Sequence, residues 1–280
     1  MFKNYFFIPA SNIRYIKKSL EIDNIDCRVF DLEDSILSAD LEDALELISR
    51  IEKKKTDWLR LPLEHSGFKN IDLKDKDVGI NNFVIPKFEG FNEIQLIINE
   101  ILSMNSKAKF ILLIENAKSY IDLDKILSKF SECIEGVSLG IHDFSVSTGI
   151  KNDYRLLENI RMNISILAKA YMVEAIDIVS IDIKNQNIFI DEVINGFVLG
   201  YRSKFLIHPL QLETIKSIGF YTKEEIAEYQ EVLDYFHLNI EGKGAVFLFK
   251  DKVYEKMHIK EIKKIVLWGN EFYGTARKEL

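Results

Sequence analysis

Eight short apolar runs, separated mostly by stretches with helical periodicity, limit what this chain can fold into more than any other feature. They are YFFIP (5–9), CRVFDLED (27–34), WLRLP (58–62), FVIPK (83–87), FILLIEN (110–116), GVSLGIHD (136–143), AIDIVSID (175–182) and KFLIHP (204–209). Continuous rather than alternating apolarity is the mark of parallel strands whose outer face is covered by helices. Between the runs, NIRYIKKSLEI, ADLEDALELISRIEKK, NEIQLIINEILSM, YIDLDKILSKF, YRLLENIRMNISILAKAYM and FIDEVINGFVL space apolar residues by three and four, with charges between. Strand then helix, repeated, means a parallel sheet, and eight strands are what a closed (β/α)8 TIM barrel requires. The polar stretch EHSGFKNIDLKDKDVGINN after the third run is only weakly periodic and predicts a short or irregular helix. All four prolines, Pro9, Pro62, Pro86 and Pro209, stand at ends of runs, where a residue without an N–H donor terminates a strand.

Beyond Pro209 the pattern changes to a helical stretch, TKEEIAEYQEVLDYF, a hairpin, GKGAVFLFKDKVYEK, and a second helical stretch, HIKEIKKIVLWGN. The expected organisation is a barrel over residues 1–215 and a helix–hairpin–helix extension over 216–280, which packs on the barrel or on a neighbouring subunit. The chain has 280 residues, 47% of them hydrophobic, enough for a core of this size. A net charge of −7 with no basic stripe argues against a nucleic-acid partner. The two cysteines, Cys27 and Cys133, form no CxxC pair and indicate neither a disulfide framework nor a zinc site. No run approaches about 18 uninterrupted apolar residues, and the N-terminal run is too short for a signal peptide. A cytoplasmic protein without membrane partners is expected.

In a closed βα barrel the C-terminal strand ends form the rim that carries the active site. The polar residues of the runs collect there: Asp31, Glu33 and Asp34 on the second, Arg60 on the third, Lys87 on the fourth, Glu115 on the fifth, His142 and Asp143 on the sixth, Asp182 on the seventh and His208 on the eighth. Glu115 and Asp143 end consecutive runs that are otherwise apolar, so both carboxylates come within reach of one cation, and Mg²⁺ is commonly held by one or two carboxylates plus waters and substrate oxygens. Solvated or salt-bridged acids at loop starts are the alternative. His142 neighbours Asp143, but adjacent strand residues point to opposite faces, which makes His142 structural. Arg60, inside WLRLP, needs an anion to offset its desolvation: a substrate carboxylate held bidentately, or Glu33 or Asp34 of the protein itself. A metal beside a carboxylate-binding arginine suits aldol addition or cleavage, because an enolate forming next to a bound carboxylate needs a positive centre.

Taken in order, FFIPASNIRYIKKSLE, VFDLEDS, WLRLP, VIPKFEG, LIENA, GIHDFSVSTG, KFLIHPLQ and GKGAVFLFKDKVYEKMHIKEIKKI resemble motifs of the HpcH/HpaI aldolase family, which includes the citrate lyase β subunit and the malyl-CoA and citramalyl-CoA lyases. The resemblance spans nearly the whole chain. It implies a Mg²⁺-dependent carbon–carbon lyase that cleaves a hydroxy acid or hydroxyacyl thioester through a metal-stabilised enolate. Glu115 and Asp143 would hold the metal, and Arg60, Glu115, Lys87 and Pro86 would contact a small carboxylate substrate, as the free acid or a CoA thioester. Glu33 and Asp34 would stand with Arg60 in the catalytic shell. Family members form homotrimers or hexamers in which the C-terminal part of one subunit can reach its neighbour's site, and Glu255 stands where several relatives carry a catalytic Asp; a solvated hairpin residue is the other reading of Glu255. The chain departs from the family at Pro62, where Asn is usual, at Asn116 and Ser119, where Thr and Gly are usual, and at Asp251, which takes a hairpin glycine's place. A Mg²⁺-dependent thioesterase or synthase on the same barrel, or a non-catalytic subunit of a larger complex, are the competing functions.

Overall fold

The eight runs form eight parallel strands: β1 (Lys3–Pro9), β2 (Cys27–Asp31), β3 (Trp58–Arg60), β4 (Asn82–Ile85), β5 (Lys109–Ile114), β6 (Ile134–Leu139), β7 (Glu174–Asp177) and β8 (Ser203–Leu206). In this computed structural model, which describes residues 2–34, 36–37, 40–64, 67–68, 78–240 and 244–275, each strand pairs with the next and β8 returns to β1, closing the barrel. Around it run α1 (Ile13–Glu21), α2 (Leu41–Ser49), α3 (Phe91–Met104), α4 (Ala117–Ile121), α5 (Leu123–Phe130), α6 (Ile141–Thr148), α7 (Glu158–Ala170), α8 (Gln186–Val198) and α9 (Pro209–Lys216).

Alternation along each strand sends every second side chain inward. Tyr5 and Phe7, Cys27 and Val29, Trp58, Val84, Ile111 and Leu113, Ile176 and Phe205 meet in one buried cluster inside the barrel. Gly136 is the β6 member of this interior, and a Cβ there would lie 2.7 Å from Ile176 Cδ1 and 3.1 Å from Ile111 Cγ1. The Ile111 and Ile176 side chains from the strands on either side fill the space that a side chain here would take, and either would have to move to admit one.

One expectation is corrected. The sixth run is not one strand to Asp143: β6 stops at Leu139, Gly140 alone forms the turn, and α6 begins at Ile141. After β3, Leu63–Glu64 pairs antiparallel with Gly67–Phe68, while residues 65–66 and 69–77, most of the stretch for which a short or irregular helix is expected, lie outside the described residues.

The chain divides into two compact units, Phe2–Lys216 and Ser217–Leu280. The second unit holds α10 (Lys223–Tyr235), the antiparallel strands β9 (Val246–Phe249) and β10 (Lys252–Glu255), and α11 (Lys256–Thr275). Thr222 and Glu225 start α10 with a capping box, each side chain accepting a bond from the other's backbone N–H. Val232, Phe236, Phe247, Tyr254, Ile262 and Val266 are among the side chains of its own core. At the β9–β10 turn Lys250 and Asp251 take φ of 45° and 61°, which explains why a glycine suits the place and why an Asp, tolerant of this region, can replace it.

Buried ion pairs brace the barrel wall. Arg28 on β2 grips Asp57, just ahead of β3, through Nε at 2.7 Å and Nη2 at 2.5 Å. Between β7, β8 and the helices outside them, Asp177 accepts from Arg161 Nη2 at 2.8 Å and Lys204 Nζ at 3.4 Å, while Lys204 also reaches Glu192 at 2.6 Å. Arg161, Asp177 and Lys204 are fully buried, so removing the central carboxylate strands two cations in a medium that cannot solvate them. Asp177→Ala should destabilise the protein by about 3–5 kcal/mol, the scale of a broken buried pair, seen as a lower urea midpoint; a shift below about 1 kcal/mol would show that the pair had not been desolvated.

Candidate active site

The site grows out of register. Asp31 pairs with Arg60 across β2 and β3, and both occupy inward positions two residues beyond Val29 and Trp58. The guanidinium therefore meets Asp31 side on, with Nε to Oδ1 and Nη2 to Oδ2 both at 2.7 Å. Nη1 adds Glu33 Oε2 at 3.0 Å and Asp34 Oδ2 at 3.1 Å, and the group lies over the Phe7 ring at 5.0 Å. The sequence offered Glu33 and Asp34 as protein partners for Arg60, but the bidentate partner is Asp31. Inward alternation, Val29 to Asp31 and Trp58 to Arg60, was the signal for it. Burial works to lower the Arg60 pKa, and the three acids more than compensate and raise it.

Lys87 extends the network. Its Nζ pairs with Glu33 Oε1 and lies 3.1 Å from Asp34 Oδ1. Burial pushes the Glu33 carboxyl up to about 7 against the pull of Arg60 and Lys87. Asp34, with its side chain 54% exposed, is disfavoured by what burial it has, but Arg60 and Lys87 prevail and hold it below the usual carboxylate range. Lys87 also takes a left-handed backbone, φ 52°, and its N–H donates to Glu115 Oε2 at 2.6 Å. Pro86 is buried just past β4 and is not among the cavity-lining residues.

Glu115 follows β5 directly. The next residue starts α4 with a capping box: Asn116 Oδ1 accepts from Ser119 N–H at 2.8 Å, Ser119 Oγ accepts from Asn116 N–H at 3.3 Å, and Asn116 Nδ2 donates to Phe88 O at 2.8 Å. Two of the departures from the family pattern thus have a structural account, since they anchor the turn that aims Glu115. Opposite, Gly140 lies so close that a Cβ would fall 2.3 Å from Glu115 Cγ. Asp143 sits in the first turn of α6, not at a strand end, where the helix N-terminus favours an acid.

Burial pushes the Glu115 carboxyl up to about 8, the Asp143 carboxylate adding to the rise and the Lys87 N–H opposing it. A buried carboxyl whose charge is disfavoured beside a second carboxylate is what a divalent cation would relieve, and an all-oxygen donor set suits Mg²⁺. Among the described residues no three His, Cys, Asp or Glu side chains converge to hold a metal; a site of two carboxylates would have its other positions filled by water and substrate oxygens.

These groups enclose a cavity of about 260 Å³ lined by Asp31, Asp34, Arg60, Glu115, Ser138, Gly140, His142 and Asp143 with apolar neighbours from β1, β5 and β8. His142 lies on α6 and lines the cavity; its Nδ1 meets Asn152 and its buried Nε2 has no partner among the described residues. Asp182 and His208 are outside the lining: Asp182 accepts from Asn185 N–H at 3.1 Å in the turn before α8, and His208 Nδ1 accepts from Leu210 N–H at 3.1 Å at the start of α9. Glu255 ends β10 in the second unit, exposed, its N–H donating to His258 Nδ1 at 3.1 Å.

The family model of HpcH/HpaI aldolase/citrate lyase matches residues 3–209. Mouse mitochondrial citramalyl-CoA lyase is 24% identical over 93% of this chain and 83% of its own length, and the citrate lyase β subunit of Haemophilus influenzae is 23% identical over 83% of this chain and 84% of its own. Among solved structures, Mycobacterium tuberculosis CitE in complex with magnesium, acetoacetate and coenzyme A superposes with a TM-score of 0.77 at 18% identity, covering 95% of this chain and 96% of that one. A Burkholderia xenovorans citrate lyase reaches 0.79 at 15% identity over 98% and 93%. At such identities the structural likeness carries the fold. Among the described residues no helix is long and apolar enough to cross a membrane, and the mouse relative is mitochondrial, so a cytoplasmic location does not follow from kinship.

Gly140→Ala should push the Glu115 carboxylate off its Lys87 bond, because the new methyl occupies the side chain's own space. A crystal structure of the variant is expected to show Glu115 displaced, with a stability loss of about 1–3 kcal/mol from overpacking. An unmoved Glu115 would mean that the α6 turn yields instead.

Proposed function

This chain belongs to the HpcH/HpaI aldolase/citrate lyase family and is a carbon–carbon lyase of that class, and on that premise we propose that it cleaves a small hydroxy acid or hydroxyacyl thioester with Mg²⁺ held by Glu115 and Asp143. The observation that carries this reading is that Glu115, its carboxyl pushed up to about 8 by burial and by the Asp143 carboxylate, lines with Asp143 the cavity that Arg60 also lines. Mg²⁺ bound there would act as a Lewis acid, polarising a substrate carbonyl and offsetting developing negative charge.

The protein's own groups supply orientation. Lys87 N–H and the space over Gly140 hold the Glu115 side chain in one position. Asp31 does the same for Arg60, whose guanidinium lines the cavity with Nη1 on Glu33 and Asp34. Glu33, buried against Arg60 and Lys87, is not among the cavity-lining residues and would act through them, whereas Asp34 lines the cavity. The kinship with citramalyl-CoA lyase and the coenzyme A complex of CitE support an acyl-CoA as the second half of the substrate.

Glu115→Ala and Asp143→Ala are each expected to lower Mg²⁺ affinity by at least about tenfold in calorimetric titration while the melting temperature holds, since rim residues serve function more than stability. Normal Mg²⁺ affinity in either variant would move the metal elsewhere.

The same reading extends to a homotrimer or hexamer in which Glu255, exposed on the hairpin, serves as acid or base at a neighbouring subunit's rim. Glu255→Gln should then slow turnover of citramalyl-CoA or malyl-CoA without weakening Mg²⁺ binding, and sedimentation should find an oligomer. A fully active monomer contradicts this role.

A further inference from the structure

β6 puts less side-chain bulk into the barrel than its neighbours do, Gly136 first and Ser138 two residues on. Ser138 is 1% exposed and stands level with Leu113 of β5 in the strand register. Both line the cavity beneath Glu115 and Arg60. Around them the cavity floor is made by Phe7 and Phe205 of the interior cluster, with Val179 and Ile207 packed against it. In that apolar floor Ser138 carries a hydroxyl whose Oγ has no hydrogen-bond partner among the described residues. A buried polar group without a partner is unfavourable, and alanine would fill this place with no such penalty. A ligand oxygen that reaches this part of the cavity would supply the missing partner.

We propose that Ser138 is a substrate-binding residue that hydrogen-bonds an uncharged oxygen, a hydroxyl or a carbonyl, on the part of the substrate that reaches the cavity floor. A carboxylate oxygen is the wrong partner, because the Arg60 guanidinium over the Phe7 ring is already paired with Asp31, Glu33 and Asp34 and offers no unmatched charge to offset its desolvation. Arg60 lies at the rim, already held by Asp31. Serine can donate to a carbonyl and either donate to or accept from a hydroxyl, so the selection is for the presence of an oxygen at that depth. The substrate class this favours is a keto or hydroxy acid with an oxygen substituent beyond its metal-chelating end, over the same acid ending in a bare methyl. The inference rests on the lyase reading above, since it takes the carboxylate end to be held at the rim.

Pyruvate and 3-hydroxypyruvate differ by one hydroxyl and make the test direct. In calorimetric titrations of the Mg²⁺-loaded full-length protein, wild type should bind 3-hydroxypyruvate about three- to tenfold more tightly than pyruvate, the range for one neutral hydrogen bond. Ser138→Ala should abolish the preference, keep the pyruvate affinity, and melt no lower than wild type. A merely structural hydroxyl would instead lower the melting temperature and leave the preference alone. Wild type with no preference, or an alanine variant that retains it, overturns the role of Ser138 and leaves the lyase reading standing. Binding of Mg²⁺ but of neither acid overturns both.

Discussion

The register that sets Asp31 beside Arg60 is the constraint from which the rest of the site follows. In a closed barrel an inward side chain has no solvent to turn to, so a guanidinium at the top of β3 must find its anion among the strands next to it. Asp31 meets it with both oxygens, and the loop after β2 then delivers Glu33 and Asp34 to the same guanidinium. Because Asp31 also accepts from Glu33 N–H at 3.0 Å, the loop itself is pinned by the acid it follows.

From Arg60 the order passes by contact to Glu33, to Lys87 and, through the Lys87 backbone, to Glu115. Each link involves a different strand end, so the polar rim behaves as one network and not as four separate residues. Such networks are favourable only when nearly every member is satisfied. Here burial and the neighbouring Asp143 carboxylate disfavour the charge on Glu115, an environment that a cation would relieve. The apolar floor and the polar rim also divide the labour of binding: charge is handled above, while shape and a single hydroxyl act below.

Departures from the family pattern look different once their contacts are known. Asn116 and Ser119 exchange a capping box and tie α4 to the loop carrying Phe88, so they support the placement of Glu115 without touching the cavity. Asp251 accepts the left-handed turn that a glycine would otherwise take. Both are backbone solutions, and neither alters the donor set at the rim.

The eight strands and most helices were legible in the sequence because a parallel barrel buries its strands on both faces and its helices on one, and each demand leaves its own period. The rim residues Arg60, Glu115 and Asp143 were legible for the same reason, as charges interrupting apolar runs. Three things were decided only in three dimensions. The partner of Arg60 depended on interstrand register, which no single run encodes. The hold on Glu115 came from a Lys87 backbone N–H and from the absence of a Cβ at Gly140, neither of which is a side-chain chemistry that a motif displays. Ser138 reads in sequence as one more small residue in VSLG, and only the closing of the strands around it, which leaves its hydroxyl buried among apolar walls, makes it a binding group. Periodicity is local and survives in a linear string, whereas contacts between strands arise only when the barrel closes.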